Sequence, residues 1–551
     1  MARTMAKGSE VTVENLALIF SLAILIFLYF YPFFLLFFSV KLKDVVSTAF
    51  DPYIQELFVG TLIQALLSTI PTLLLSLPVA FFLSRYEFKF SRELSYLLLT
   101  PFFMPSFATA EAFIILFGNN GFFNFIVKLI FGSNTNFQVL YSMNAVILAH
   151  IFYYLPLSSL ILQQGFSSID KDLEEAARVA SANWFLMVRS IYIPQLLPSF
   201  TASLALVFIF SFISYSTPLL LGGKFTTVEV EIFSTRTQSS SLNLAFLQAL
   251  VTIFFALMLI VYREKFYFKS LSYRKTEKKK LSFSNLSPSE IFLLLIFAII
   301  VFVEIIPVYI VVVQAFSKVP VFILPTNISL ENFLKLFNFD FGFGLSFIKV
   351  LLYSLSIAFI VSFVSTSLSL VFVFSYIRNE KLRRIFSSFF FFPLSISQTS
   401  FAMSLMVAYG LSSIKLYGTW YLIAIGQISV IIPLTVRIIE LSWLKISDEI
   451  YEASMVSGAS RLTCFLNLEL PSIYPSLVSS FLISISSSLS EFTFSNFFST
   501  FNIMTMPAAV YELIASRNLG LASSLTSLIV VSVIISELLV SKFLGTEFKV
   551  L

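Results

Sequence analysis

The stretch "IDKDLEEAARVASANWFLMVRSIYIPQLLPS", Ile169 to Ser199, interrupts a chain that is otherwise almost continuously apolar, and it occurs twice. Moved forward by 277 positions it falls without a gap on "ISDEIYEASMVSGASRLTCFLNLELPSIYPS", Ile446 to Ser476. Glu175 meets Glu452, Ala176 meets Ala453, Val179 meets Val456, Ala182 meets Ala459, Pro194 meets Pro471 and Pro198 meets Pro475. The same shift carries Pro156 onto Pro433 in the apolar run before each copy. An ungapped match of this length at the same place in two helix series is an internal duplication.

Around these loops the composition is that of a membrane protein. Of 551 residues, 58% are hydrophobic and 12% charged, with 68 phenylalanines, and the mean hydropathy is +0.92. A helix needs about 20 mainly apolar residues to cross the hydrocarbon core. That length predicts twelve spans, near 14–40, 58–84, 94–117, 141–164, 199–222, 244–262, 291–316, 345–377, 385–411, 419–443, 475–497 and 518–541. Runs such as "IFLLLIFAIIVFVEIIPVYIVVV" are apolar on every face, unlike the alternating strands of a barrel. The expected fold class is all-α and polytopic, in two six-helix halves. The first half covers 1–262 and the second 291–551, joined by a basic linker, 263–290, that includes "RKTEKKK". Six spans return the chain to its starting side, so the halves run parallel and are related by a pseudo-twofold axis along the membrane normal.

Lysines and arginines collect in cytoplasmic loops, and placing both termini inside assigns about 25 of the 35 basic residues to that side. The net charge of +5 is thereby used up in topology, and a nucleic-acid partner is not expected. The partner implied throughout is a lipid bilayer. The long N-terminal apolar run reads as a retained first helix. One cysteine, Cys464, excludes an internal disulfide and a cysteine metal cluster.

Each polar loop is built to open a short helix. Asp170 and Ser447 are good N-cap residues, and Asp172 and Glu449 place negative charge in the first turn. Next come Glu175-Ala176-Ala177 and Glu452-Ala453-Ser454, a carboxylate beside small side chains that allow close approach of a second protein. Gly458 ends the second helix in the left-handed conformation that glycine tolerates, and Ser181 stands at that place in the first. An ordinary connector would have no need to repeat this form.

The pattern Glu-Ala-Ala, three residues, Gly, nine residues, Ile-x-Leu-Pro resembles the signature loop of permease subunits of bacterial and archaeal ABC importers. The second copy fits in spacing through Glu452, Gly458, Leu468 and Leu470-Pro471; the first, through Glu175, Ile191 and Ile193-Pro194, departs chiefly by Ser181 for glycine. With one loop per half, the chain is similar to fused two-domain permeases of the ferric-iron and thiamine type. The resemblance implies that Glu175, Ala176, Ala177 and Ser181 seat on one ATPase subunit, and Glu452, Ala453, Ser454 and Gly458 on another, with Pro194 and Pro471 as motif prolines. It also implies an extracytoplasmic solute-binding protein and a location in the cell (inner) membrane. No Gly-x-x-x-x-Gly-Lys-Ser/Thr sequence occurs, so no cofactor is expected on this chain, and ATP and magnesium belong to the partner ATPase.

No catalytic or metal-ligating set is expected, since His150 is the only histidine. It reads as a hydrogen-bonded packing residue. Ionisable groups inside a membrane are costly and mark pathways by default. Glu491 is the leading candidate for the substrate path, with Ser214 as its partner under the shift of 277; Glu111 and Glu304 are weaker ones. The alternative is a Glu491 satisfied by serines such as Ser486, Ser488 or Ser490. Phenylalanines facing lipid account for most of the aromatic content. The rival to an importer is an ion-coupled secondary transporter with two six-helix repeats, which would lack the docking loops and carry more embedded charge.

Overall fold

The structure is a computed structural model and describes residues 2–87, 104–119, 121–132, 137–238, 240–267, 279–280, 286–317, 327–342, 344–390, 393, 396–412, 414–500 and 502–544. Most of the expected linker, the tip of the turn after Arg85, and the start of the expected third span lie outside the described residues.

In the first half, α1 (Val13–Ser39) leads through a short α2 (Leu42–Ala49) into α3 (Pro52–Arg85), capped by Asp51 accepting from the amide of Tyr53. Then follow α4 (Ser106–Phe117), α5 (Phe122–Phe131), α6 (Met143–Ser167), the loop helix α7 (Lys171–Val179) and α8 (Trp184–Phe212). Two short helices, α9 (Ser216–Leu221) and α10 (Val228–Ser234), precede α11 (Ser240–Tyr267), which continues past the expected boundary at 262.

The second half repeats the series. It comprises α12 (Pro288–Ala315), α13 (Glu331–Phe337), α14 (Phe347–Tyr376), α15 (Glu380–Phe389), α16 (Gln398–Leu405), α17 (Trp420–Trp443), the loop helix α18 (Asp448–Val456) and α19 (Arg461–Ser490). It closes with α20 (Thr493–Phe498), α21 (Met506–Ala515) and α22 (Leu519–Leu544). Two residues of the linker pair in parallel with the two residues that follow α3, Tyr86 with Lys279 and Glu87 with Lys280.

Eleven helices among the described residues are long and apolar enough to cross a membrane, where twelve were expected. The difference lies at 385–411, where α15 stops at Phe389 and α16 begins after Pro393 with Ser397 as its N-cap. A proline without an N–H and a hydroxyl-rich "SISQTS" favour a cap over a continuous helix. The fifth and eleventh expected spans also differ in register. Their helices start earlier, at Trp184 and Arg461, and end at Phe212 and Ser490, with a break before α9 and α20.

The halves interlock through their first helices. Tyr29 of α1 donates to the carbonyl of Ser429 in α17, and Tyr409 donates back to the carbonyl of Phe27. Reciprocally, Phe297 of α12 stacks on Phe82 of α3 at 4.5 Å between ring centroids. Duplication is visible in single hydrogen bonds. Ser76 of α3 donates to the carbonyl of Leu155 at 3.2 Å, and Ser369 of α14 to that of Ile432 at 3.5 Å. Thr61 accepts from the amide of Val228 at 3.2 Å as Ser354 accepts from that of Met506 at 2.7 Å.

Candidate functional site: two docking loops and a pair of helix breaks

The two loops fold as their capping residues require. Asp170 accepts from the amide of Asp172 at 3.0 Å, and Ser447 from that of Glu449 at 3.2 Å. Both helices then end on a residue with positive φ, 58° at Ser181 and 91° at Gly458, so the serine holds the conformation that its counterpart reaches without a side chain. Beyond each loop a widened turn, Val188–Tyr192 or Phe465–Glu469, precedes the motif proline. Pro194 and Pro471 lack the N–H that the preceding turn would use, and bonding five residues back, Ile193 to Val188 and Leu470 to Phe465, accommodates the gap.

The faces these helices present match residue for residue. Glu175, Ala176, Glu452 and Ala453 are exposed. So are Leu173 and its equivalent Ile450, while Val179 and Val456 are 87% and 81% exposed. Ala177 and Ser454 turn inward: Ala177 packs on the cluster of Leu73, Phe166, Ile169 and Tyr192, and Ser454 Oγ lies 3.1 Å from Cys464 Sγ. Each loop therefore offers a carboxylate, an alanine and two apolar side chains on an exposed face.

Ser214 and Glu491 both fall at the helix breaks, one in each half. Ser214 Oγ lies 2.9 Å from His150 Nε2, and Nδ1 of the same ring lies 2.7 Å from Gln64 Nε2. Gln427, the counterpart of His150, contacts Glu491 in turn at 3.4 Å. The Glu491 carboxylate, however, is chiefly the cap of α20: its oxygens accept from the amides of Phe494 at 2.9 Å and Ser495 at 3.1 Å. Of the serines that offered an alternative partner, none contacts it; Ser495 does, at 3.4 Å.

Next to each break stands an aromatic residue, Tyr215 or Phe492, and the two equivalents stack on each other with centroids 5.7 Å apart and planes at 30°. Contact between equivalent residues puts the pseudo-twofold axis between them. Phe233 packs on Tyr215 at 5.2 Å and Tyr511 on Phe492 at 6.0 Å, and Asn496 donates to the Tyr215 hydroxyl at 2.9 Å. Lipid contact thus explains exposed rings such as Phe38 and Phe302 but not this central set.

The weaker carboxylates resolve differently. Glu111 is fully buried and accepts from Ser523 and, at 2.7 Å, from Thr526, which ties α4 of one half to α22 of the other. Glu304 is buried on α12, and its Oε2 has no hydrogen-bond partner among the described residues. Sequence reasoning missed Glu229, which joins the halves through Thr399 and Ser397, the latter at 2.9 Å, and accepts from Gln248 of its own half at 2.8 Å. Its one signal was a glutamate between two valines in "TTVEVEIF", which also carries Glu231.

Against known families, the model of the binding-protein-dependent transport system inner membrane component matches residues 73–264 and again 365–544. The chain belongs to this family. Its two copies coincide with the two helix series, so the protein is a fused two-domain ABC importer permease. Among individual relatives it is similar to the thiamine transport system permease protein ThiP of Haemophilus influenzae, 27% identical over 48% of this chain and 49% of the relative. The ferric transport system permease protein FbpB of Actinobacillus pleuropneumoniae is 30% identical over 24% of this chain and 19% of that one. The spermidine/putrescine transport system permease protein PotB of Escherichia coli is 28% identical over 31% and 63%. The matched part of the permease spans between 19% and 63% of the length of these three.

Proposed function

We propose that the chain is the translocation subunit of an ATP-driven importer, moving a solute of the thiamine or ferric-iron type handed over by an extracytoplasmic binding protein. The observation that carries the reading is the pair of equivalent loop helices, each exposing Glu-Ala and a nearly naked valine at the same positions. Glu175 with Ala176, and Glu452 with Ala453, seat on two ATPase subunits, which bind the ATP and magnesium. Ala177 and Ser454 set the depth of each helix, and Ser181 and Gly458 end it. The halves, 1–262 and 291–551, sit in the cytoplasmic membrane with the loops, the linker 263–290 and both termini inside. Closure of the ATPase dimer draws the two loops together and reorients the halves about their common axis.

The stacked pair Tyr215–Phe492 closes the pathway on that axis, and its opening accompanies the reorientation. Ser214 and Glu491 line the pathway beside this pair. Relatives named for thiamine and ferric transport support the solute class, and PotB makes a polyamine the competing cargo. The test is ATP hydrolysis by the complex isolated from native membranes, reconstituted with and without the native extracytoplasmic fraction. Hydrolysis stimulated by that fraction, and lost in the Glu175→Lys/Glu452→Lys double variant, is the expected result. Stimulation that persists in the double variant refutes the docking assignment.

A further inference from the structure

Each loop helix is tied to the end of the long helix of its own half, and the tie is built twice around an arginine, a glutamate and a tyrosine with the last two in exchanged places, Asp448 of α18 being a further partner of the second arginine at 2.8 Å. In the first half Arg85, the last residue of α3, pairs with Glu174 of α7 and lies 6.0 Å from the Tyr192 ring. In the second half Arg378, just past α14, donates to Glu469 Oε1 from Nη2 at 2.6 Å and from Nε at 3.2 Å, and sits 3.9 Å over the Tyr451 ring. Under the shift of 277, Glu174 is equivalent to Tyr451, and Tyr192 to Glu469. The arginines are equivalent under the shift of 293 that also relates Ser76 to Ser369 and Phe81 to Phe374. Carboxylate and phenol ring have traded places around a constant guanidinium.

The surroundings have traded in step. Phe81 and Tyr192 flank Trp184 at 6.0 and 5.5 Å, an apolar setting for the ring. The counterpart of Trp184 is Arg461, which lies 4.5 Å over Phe374 and pairs with Glu469. The difference follows from burial. Glu174 keeps 10% of its side chain exposed and is held by one arginine, whereas Glu469 is at 0% and has two. Arg461 further pairs at 2.7 Å with Glu14 of α1, which reaches over from the other half. An incidental pair at a loop would not be rebuilt with its partners exchanged and its neighbours adjusted to suit.

We propose that Arg85–Glu174–Tyr192 and Arg378–Tyr451–Glu469 are locks that make each loop helix a rigid extension of α3 or α14. Movement of a docked subunit is thereby delivered into the long helices instead of being absorbed in the connection. These six are positioning residues, and the transmission role rests on the docking reading of α7 and α18.

The test uses the full chain in lipid nanodiscs without any ATPase, with amide hydrogen exchange of residues 171–180 as the readout. Glu174→Tyr removes the Arg85 ion pair, and Tyr192→Glu sets a second carboxylate against Glu174 in competition for the same arginine, so each should speed exchange there about tenfold or more. Peptides inside α6 should be unchanged, which reports that the variants have folded. The triple variant Glu174→Tyr/Trp184→Arg/Tyr192→Glu installs the second half's version in the first, and should return exchange to within about threefold of the wild type. Unchanged exchange in the single variants, or a triple no better protected than they are, overturns the lock. A restored triple in a permease from which native membranes supply no ATPase would overturn the transmission role while the mechanical tie stands.

Discussion

Replacing Glu491 separates capping from mere burial at the helix break. Its two oxygens hold the amides of Phe494 and Ser495 at 2.9 and 3.1 Å, at the start of a helix only six residues long. In Glu491→Ala both amides lose their acceptor, and two capping hydrogen bonds removed together with a charge at the dipole end are worth about 2–4 kcal/mol in a buried setting. In a half of this size that lowers the apparent unfolding temperature by about 4–8 °C. Glu491→Gln keeps one acceptor oxygen and should lose less than half as much. The assay is thermal unfolding of the purified chain in detergent at one fixed scan rate, with both variants beside the wild type. The opposing effect is the cost of holding a carboxylate away from water, which would make alanine stabilising. A Glu491→Ala variant as stable as wild type or more so, or a Gln variant as damaged as the Ala one, would refute the capping account.

Other consequences can be checked alongside. A Cβ on Gly426 would stand 2.5 Å from Cδ1 of the buried Phe494 ring, so Gly426→Ala should cost about 1–3 kcal/mol through displacement of α20, read as a lowered unfolding temperature. At the loop ends, Ser181→Gly should stabilise α7 by about 1 kcal/mol and Gly458→Ala should destabilise α18 by a similar amount, since only backbone φ is at stake, and local hydrogen exchange measures both. The contact of Glu111 with Ser523 and Thr526 across the halves should appear as a coupling of about 1–3 kcal/mol in a double-mutant cycle of Glu111→Ala with Ser523→Ala.

The sequence disclosed most of the architecture because the loops are polar and repeated: Asp170, Ser447 and Gly458 behave as their residue types dictate, and Ser181 takes the backbone conformation of its glycine counterpart. The breaks at Ser214 and Glu491 escaped it, since "FISYST" and "LSEFTF" lie inside apolar runs and carry neither proline nor glycine. Short helices beyond a break look like continuation when only hydropathy is read. The lock around Arg85 and Arg378 was hidden for another reason. Its arginines align at a shift of 293 and its loop residues at 277, and exchange of Glu with Tyr removes any residue-for-residue match. Glu111 looked like a pathway charge because burial alone was legible; its partners Ser523 and Thr526 lie in the other half, more than 400 residues away.

Central to the account is that the two repeated loops hold an ATPase. The most direct measurement is affinity purification of the tagged chain from solubilised native membranes, with mass spectrometry of what stays bound and the Glu175→Lys/Glu452→Lys variant as control. An ATPase retained by the wild type and lost from the variant is the expected result, with the variant still inserted and monodisperse. A stable wild-type chain that retains no nucleotide-binding partner even after mild crosslinking, or equal retention by the variant, would contradict it.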